Sequence, residues 1–184
     1  AGPANKQGRI AADNICGGNS RFHGSKGSSV LKLFGLTVAS TGINEKAAQA
    51  AGIAYDRVVL FPASHAAYYP GAQSMAMKVL YEKESLRLLG AQIVGGDGVD
   101  KRIDVLATAI RAKMTALELT ELDLSYAPPY SSAKDPANMA GFMIEDLESG
   151  KVRQFHWDEV DDLPRDGSAA LLDVRTEWEY QRGH

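Results

Sequence analysis

The stretch from Ser74 to Val94 constrains the fold most. Between Ser74 and Tyr81, Met75, Met77, Val79 and Tyr81 fall on one side and Lys78 on the other, the period of a half-buried strand. The charged segment Glu82 to Ser85 can turn the chain into a second apolar run, Leu86 to Val94, which predicts a hairpin. Gly95-Gly96-Asp97-Gly98 follows and reads as a strand-to-helix turn, because its spacing matches neither a dinucleotide fingerprint nor a Walker loop. Val99, Ile103, Leu106, Ile110 and Met114 then repeat at helical spacing.

The flanking segments carry weaker signals. Residues 4–16 predict a short amphipathic helix, with Pro3 near its start, Ile10, Ala11, Ile15 and Cys16 on or near one face, and Gly17-Gly18 at its end. Residues 18–29 are polar and glycine-rich, a connector carrying Arg21, His23 and Lys26 as solvated charges. Val30 to Ser40 reads as one strand, apolar on both faces in places and so substantially buried. Asn44 can cap a helix through Ala51 that Gly52 closes, and Tyr55 to Phe61 is a further strand. Leu117, Leu119 and Leu122 suggest a short helical piece. Beyond Gly150, where a domain boundary is expected, Val152 to Val160 predicts a strand and short turn, and Ala169 to Val174 is a β-type run. Thr176 to Glu179 then has the layout of a capping box. Both ends read as cut, so the chain is expected to be a fragment of a longer protein.

Two loops carry phenols. One is Pro62 to Gly71 with Tyr68 and Tyr69, the other Ser125 to Asp135 with Tyr126 and Tyr130. Pro128 and Pro129 make the second a stiff, non-helical strut, and Asp135-Pro136 is a helix start whose stripe is Ala140, Met143, Ile144 and Leu147, closed by Gly150. The tyrosines either pack their rings and bond a nearby carbonyl or present hydroxyls to a ligand, and spacing alone leaves both open.

Composition excludes several classes. A net charge of -3 from interspersed acids and bases argues against nucleic-acid binding. No apolar run approaches the ~20 residues that span a bilayer and no signal layout is present, so a cytoplasmic location is expected. The single cysteine, Cys16, excludes a disulfide framework within the chain and reads as a small core residue. His23, His65, His156 and His184 lack ligand spacing, so no metal site is expected. No Ser-His-Asp or nucleophile-elbow motif occurs.

Several segments resemble a family. AGPANKQGRIAADNI, residues 1–15, is similar to the last helix of the flavin domain in flavoprotein disulfide reductases with two dinucleotide-binding domains, and residues 30–124 to their dimerisation domain. HAAYYPGA at 65–72 and YAPPYSSAKDPANMAG at 126–141 resemble the coenzyme A disulfide reductase branch, including members of the NADH oxidase type. LLDVRTEWEYQRGH, residues 171–184, resembles the opening of a rhodanese-like domain, as found in fusions with that branch.

The resemblance implies an α+β fold, an antiparallel sheet backed by helices. It divides the chain into the last helix of an FAD-binding domain (1–18), a connector (19–29), a dimerisation domain (30–150) and the start of a truncated rhodanese-like domain (151–184). It implies a homodimeric, FAD-dependent NAD(P)H oxidoreductase acting on coenzyme A disulfide or persulfide. Tyr68 and Tyr126 would act in the partner subunit's active site, and Ala1, Gly2 and Pro3 would approach the FAD. Cys16 does not match the family's redox cysteine, and the rhodanese-like part stops before its active-site loop. The fragment alone is therefore expected to bind no cofactor tightly and to be inactive. The rival readings are a non-catalytic dimerisation module and part of a rhodanese-type sulfurtransferase.

Overall fold

A computed structural model describes residues 2–183. Two compact units divide the chain between Val152 and Arg153.

In the first unit, helix α1 (Gly2–Ile15) precedes a five-stranded sheet built from β1 (Ser29–Leu33), β2 (Leu36–Gly42), β3 (Tyr55–Leu60), β4 (Met75–Glu82) and β5 (Leu88–Gly95). The order is β1-β2-β5-β4-β3 and every described pairing is antiparallel. Helix α2 (Glu45–Ala50) is capped by Asn44, whose side chain accepts from the Ala47 amide. Helix α3 (Val99–Ala112) lies against β2 and β5, and α4 (Pro136–Glu148) against β3 and a short 3-10 turn, Leu117–Leu119.

The predicted hairpin forms as β4 and β5, and all four of Met75, Met77, Val79 and Tyr81 are buried. With Ala39, Ala91 and Ile93 they make the sheet side of the core, against Val99, Ile103, Leu106 and Ile110 of α3 and Ala140 and Ile144 of α4. The helical spacing read from Val99 onward thus marks the face that meets the sheet. The single strand expected over Val30 to Ser40 is instead a hairpin, β1 and β2, turning at Phe34 and Gly35. Phe34 takes φ 51, a turn that apolar composition concealed. Every residue of β1 is exposed, so the expected burial also fails: β1 is the edge of the sheet. Cys16 is exposed rather than in the core, since α1 buries none of its residues.

The second unit holds a 3-10 helix, Trp157–Asp162, and α5 (Glu177–Tyr180), whose capping box joins Thr176 and Glu179 as the sequence indicates. The strands expected at Val152 to Val160 and Ala169 to Val174 do not form among the described residues. Leu171, Leu172 and Val174 stay exposed, as befits segments with no partner strand to take their backbone hydrogen bonds. Asp173 is held at a pKa of about 2, by hydrogen bonds from the Arg175 guanidinium first.

Candidate functional site

The two phenol loops meet. Tyr68 and Tyr126 are fifty-eight positions apart in sequence, and their hydroxyl oxygens lie 3.1 Å from each other. Tyr68 is 76% exposed and Tyr126 47%. That hydrogen bond raises the Tyr126 pKa above the usual tyrosine value, so its hydroxyl stays protonated well past neutral pH.

Each loop has its own reason to be rigid. Ala63 bridges to Ser74, and the Ser64 amide donates to Gln73 O at 2.8 Å, closing the base of the first loop. Tyr69 N donates to Ala66 O at 2.9 Å, and the Tyr69 ring stands edge-on to His65 at 5.7 Å. In the second loop Ala127 O accepts from Tyr130 N at 2.9 Å and from Ser131 N at 3.1 Å, a tight turn across Pro128 and Pro129. The loops are joined where Ala66 N donates to Ser131 O at 3.0 Å.

Beneath the junction sits a buried charge pair that the sequence reading missed. Arg102 of α3 and Asp135, the N-cap of α4, have side chains 1% and 3% exposed. Arg102 Nη2 donates to Asp135 Oδ2 at 3.0 Å, Ser131 Oγ at 3.2 Å and Tyr130 O at 3.3 Å, while Nη1 reaches Gly98 O at 3.2 Å. Ser131 Oγ donates to Asp135 Oδ2 at 2.7 Å, and Asp135 Oδ1 accepts from the Ala137 amide. Removing one partner of such a desolvated pair costs about 3–5 kcal/mol. A signal for it exists in the sequence: Arg102 falls between Val99 and Leu106 on the buried stripe, where a cation needs a partner.

The other expected site residues lie apart from the phenols. Gly2 and Pro3 begin α1 and line a groove of about 630 Å³ with Lys6, Arg9, Phe22 and Arg111, and neither Tyr68 nor Tyr126 lines it. Ala1 lies outside the described residues. A Cβ added at Gly2 would meet nothing within 4 Å, so this helix end is open. Tyr130 is 72% exposed, and its backbone N–H and carbonyl are engaged in the loop's hydrogen bonds. No group of three or more metal-ligating side chains occurs among the described residues.

Comparison with known proteins fits this arrangement. Residues 29–137 match the family described as pyridine nucleotide-disulphide oxidoreductase, dimerisation domain. The chain is 40% identical over 145 residues to the coenzyme A disulfide reductase of Staphylococcus haemolyticus, covering 78% of this chain and 32% of that protein. The chain thus spans about a third of the length of the curated relatives it matches. Among solved structures, reduced Bacillus anthracis CoADR-RHD aligns over 99% of this chain and 33% of its own, with a TM-score of 0.91 and 48% identity. An NAD-dependent persulfide reductase from A. fulgidus aligns over 82% of this chain and 28% of its own, with a TM-score of 0.79 and 45% identity. With the family match spanning more than half of the residues and the antiparallel sheet in place, the chain belongs to the pyridine nucleotide-disulphide oxidoreductases and carries their dimerisation domain.

Proposed function

We propose that this chain is the C-terminal part of a cytoplasmic, homodimeric, FAD-dependent NAD(P)H oxidoreductase that reduces coenzyme A disulfide or a persulfide. Residues 1–18 are assigned to the end of the FAD-binding domain, 19–29 to a connector, 30–150 to the dimerisation domain and 151–184 to the start of a rhodanese-like domain. The similarity to coenzyme A disulfide reductases and to a persulfide reductase supports the substrate class, and the alignment along nearly the whole chain with CoADR-RHD supports the order of parts. Redox steps are assigned to segments outside these residues, because Cys16 is the one cysteine here and sits on the exposed end of the first helix region.

The observation that carries the reading is the exposed Tyr68–Tyr126 pair. In a pair of hydroxyls sharing one hydrogen bond, one proton is used between them and the other is free to point outward. Cleavage of a disulfide releases a thiolate, and a hydrogen bond donated to the departing sulfur stabilises the charge as it develops. The hydrogen bond to Tyr68 raises the Tyr126 pKa, which favours its protonated, donating form. The exposure of both tyrosines in the single chain supports a recipient on the partner subunit of the proposed homodimer.

A second reading, a pure dimerisation module, draws on the bare apolar side of the sheet, where Leu31 and Val94 are exposed. Tyr126→Phe in the full-length protein separates the two. The catalytic reading expects disulfide turnover to fall ~100–1000-fold, the range for losing one hydrogen-bond donor to a developing charge, with the dimer intact. Loss of the dimer with normal turnover per dimer would favour the module.

A further inference from the structure

We propose that Arg102, paired with Asp135, is the positioning residue that holds Tyr68 and Tyr126 in contact. Its importance for catalysis rests on the role proposed for the two phenols. The hydrogen bond between the hydroxyls joins the tips of two loops that share no secondary structure, so their separation depends on what fixes the loop bases.

Ser131 is where the constraints converge. Its carbonyl holds Ala66, two residues before Tyr68, and its amide holds Ala127, the residue after Tyr126. Its hydroxyl accepts from Arg102 Nη2 and donates to Asp135 Oδ2, and the carbonyl of Tyr130 beside it accepts from the same guanidinium nitrogen. Arg102 is itself anchored in α3, and Asp135 in the first turn of α4, so two core helices fix one loop residue. Only a planar, multidentate cation can serve Gly98 O, Tyr130 O, Ser131 Oγ and Asp135 Oδ2 together; an ammonium can keep the ion pair but not the spread of contacts. Lys101 Nζ, 3.8 Å from Asp135 Oδ2, leaves that carboxylate a cation if Arg102 is neutralised.

The test uses Arg102→Met, Arg102→Lys and Ser131→Ala in the full-length protein, each with and without Tyr126→Phe. The difference in phenolate absorbance within each pair reports the titration of Tyr126 together with the response of its hydrogen-bonded partner Tyr68. If Arg102 positions the pair, Arg102→Met shifts Tyr126 down toward an ordinary tyrosine, Ser131→Ala shifts it part of the way, and Arg102→Lys restores some of the loss. Disulfide turnover falls with it by ~10–100-fold in Arg102→Met, the range for a small misplacement of reacting groups. A folded Arg102→Met with Tyr126 titrating as in the parent overturns the proposal. Should that variant not fold, Ser131→Ala decides, since it keeps both charges and removes only the hydroxyl: an unmoved titration there is equally fatal. Full activity in Tyr126→Phe would sink the catalytic reading of the phenols while the titration still scores the clamp.

Discussion

At Gly98 the backbone lies at φ 70, and an added Cβ would sit 2.3 Å from Arg102 Nη1. The glycine cluster after β5 therefore serves a side chain: it lets the chain turn into α3 while leaving room for the guanidinium. Gly98→Ala is expected to lower stability by about 2 kcal/mol, from the left-handed backbone plus the displaced arginine, measured by urea unfolding. The phenol pair gives a second test at this scale. Because the hydrogen bond to Tyr68 is the main cause of the raised Tyr126 pKa, Tyr68→Phe should let Tyr126 ionise at lower pH, read from phenolate absorbance. An unmoved titration would mean that the hydroxyls do not meet in solution.

Helix α4 shows how an element is fixed from three sides. Its first turn is held by the cap Asp135 and by Asn138, whose Nδ2 donates to Leu119 O at 2.8 Å and Leu122 O at 3.0 Å. Its last turn is tied to the sheet by Tyr81 Oη, which donates to Glu148 Oε1 at 2.9 Å. At Gly141 a side chain would meet Ala116 O at 2.8 Å, so the helix and the 3-10 turn approach as closely as backbones allow. Asn138→Ala strands two carbonyls and should cost about 2 kcal/mol in thermal or urea unfolding. Burial, and then the bond to Glu148, pushes the Tyr81 pKa up from its ordinary 10.0. A raised phenol pKa contributes stability that is present below pH 10.0 and lost as pH rises above it. Tyr81→Phe should cost about 1 kcal/mol at neutral pH and reduce the decline of stability in alkali, both read from unfolding curves.

For the whole molecule, the sheet has one covered face and one that is only part covered. Residues Leu31, Val38, Val94 and Ala76 stand in register across β1, β2, β5 and β4, on the face opposite Ala39, Ile93 and Met77. At one end of that face Glu45 of α2 takes Arg57 Nη1 at 2.7 Å and Lys78 Nζ at 2.6 Å, while Leu31 is 59% and Val94 37% exposed. This bare stripe is the face assigned to the proposed homodimer, since apolar sheet area left in water is what association covers. Val94→Asp with Leu31→Asp is expected to shift the full-length protein from dimer to monomer in sedimentation, with an unchanged circular dichroism spectrum. A persistent dimer would place the interface elsewhere.

Alternation and caps act within a few residues, and for that reason the sequence alone determined the β4–β5 hairpin, the helix from Val99, and the starts at Asn44, Asp135 and Thr176. The β1–β2 turn escaped because Phe34 and Gly35 sit inside an apolar run, and burial of β1 depends on neighbours that an edge strand lacks. The two phenol loops were legible as stiff, tyrosine-bearing segments, but nothing local says that they touch. That was decided by tertiary structure: a buried cation on α3 needs a carboxylate, the nearest is the cap of α4, and satisfying both brings the loops at Ser131 and Ala66 together.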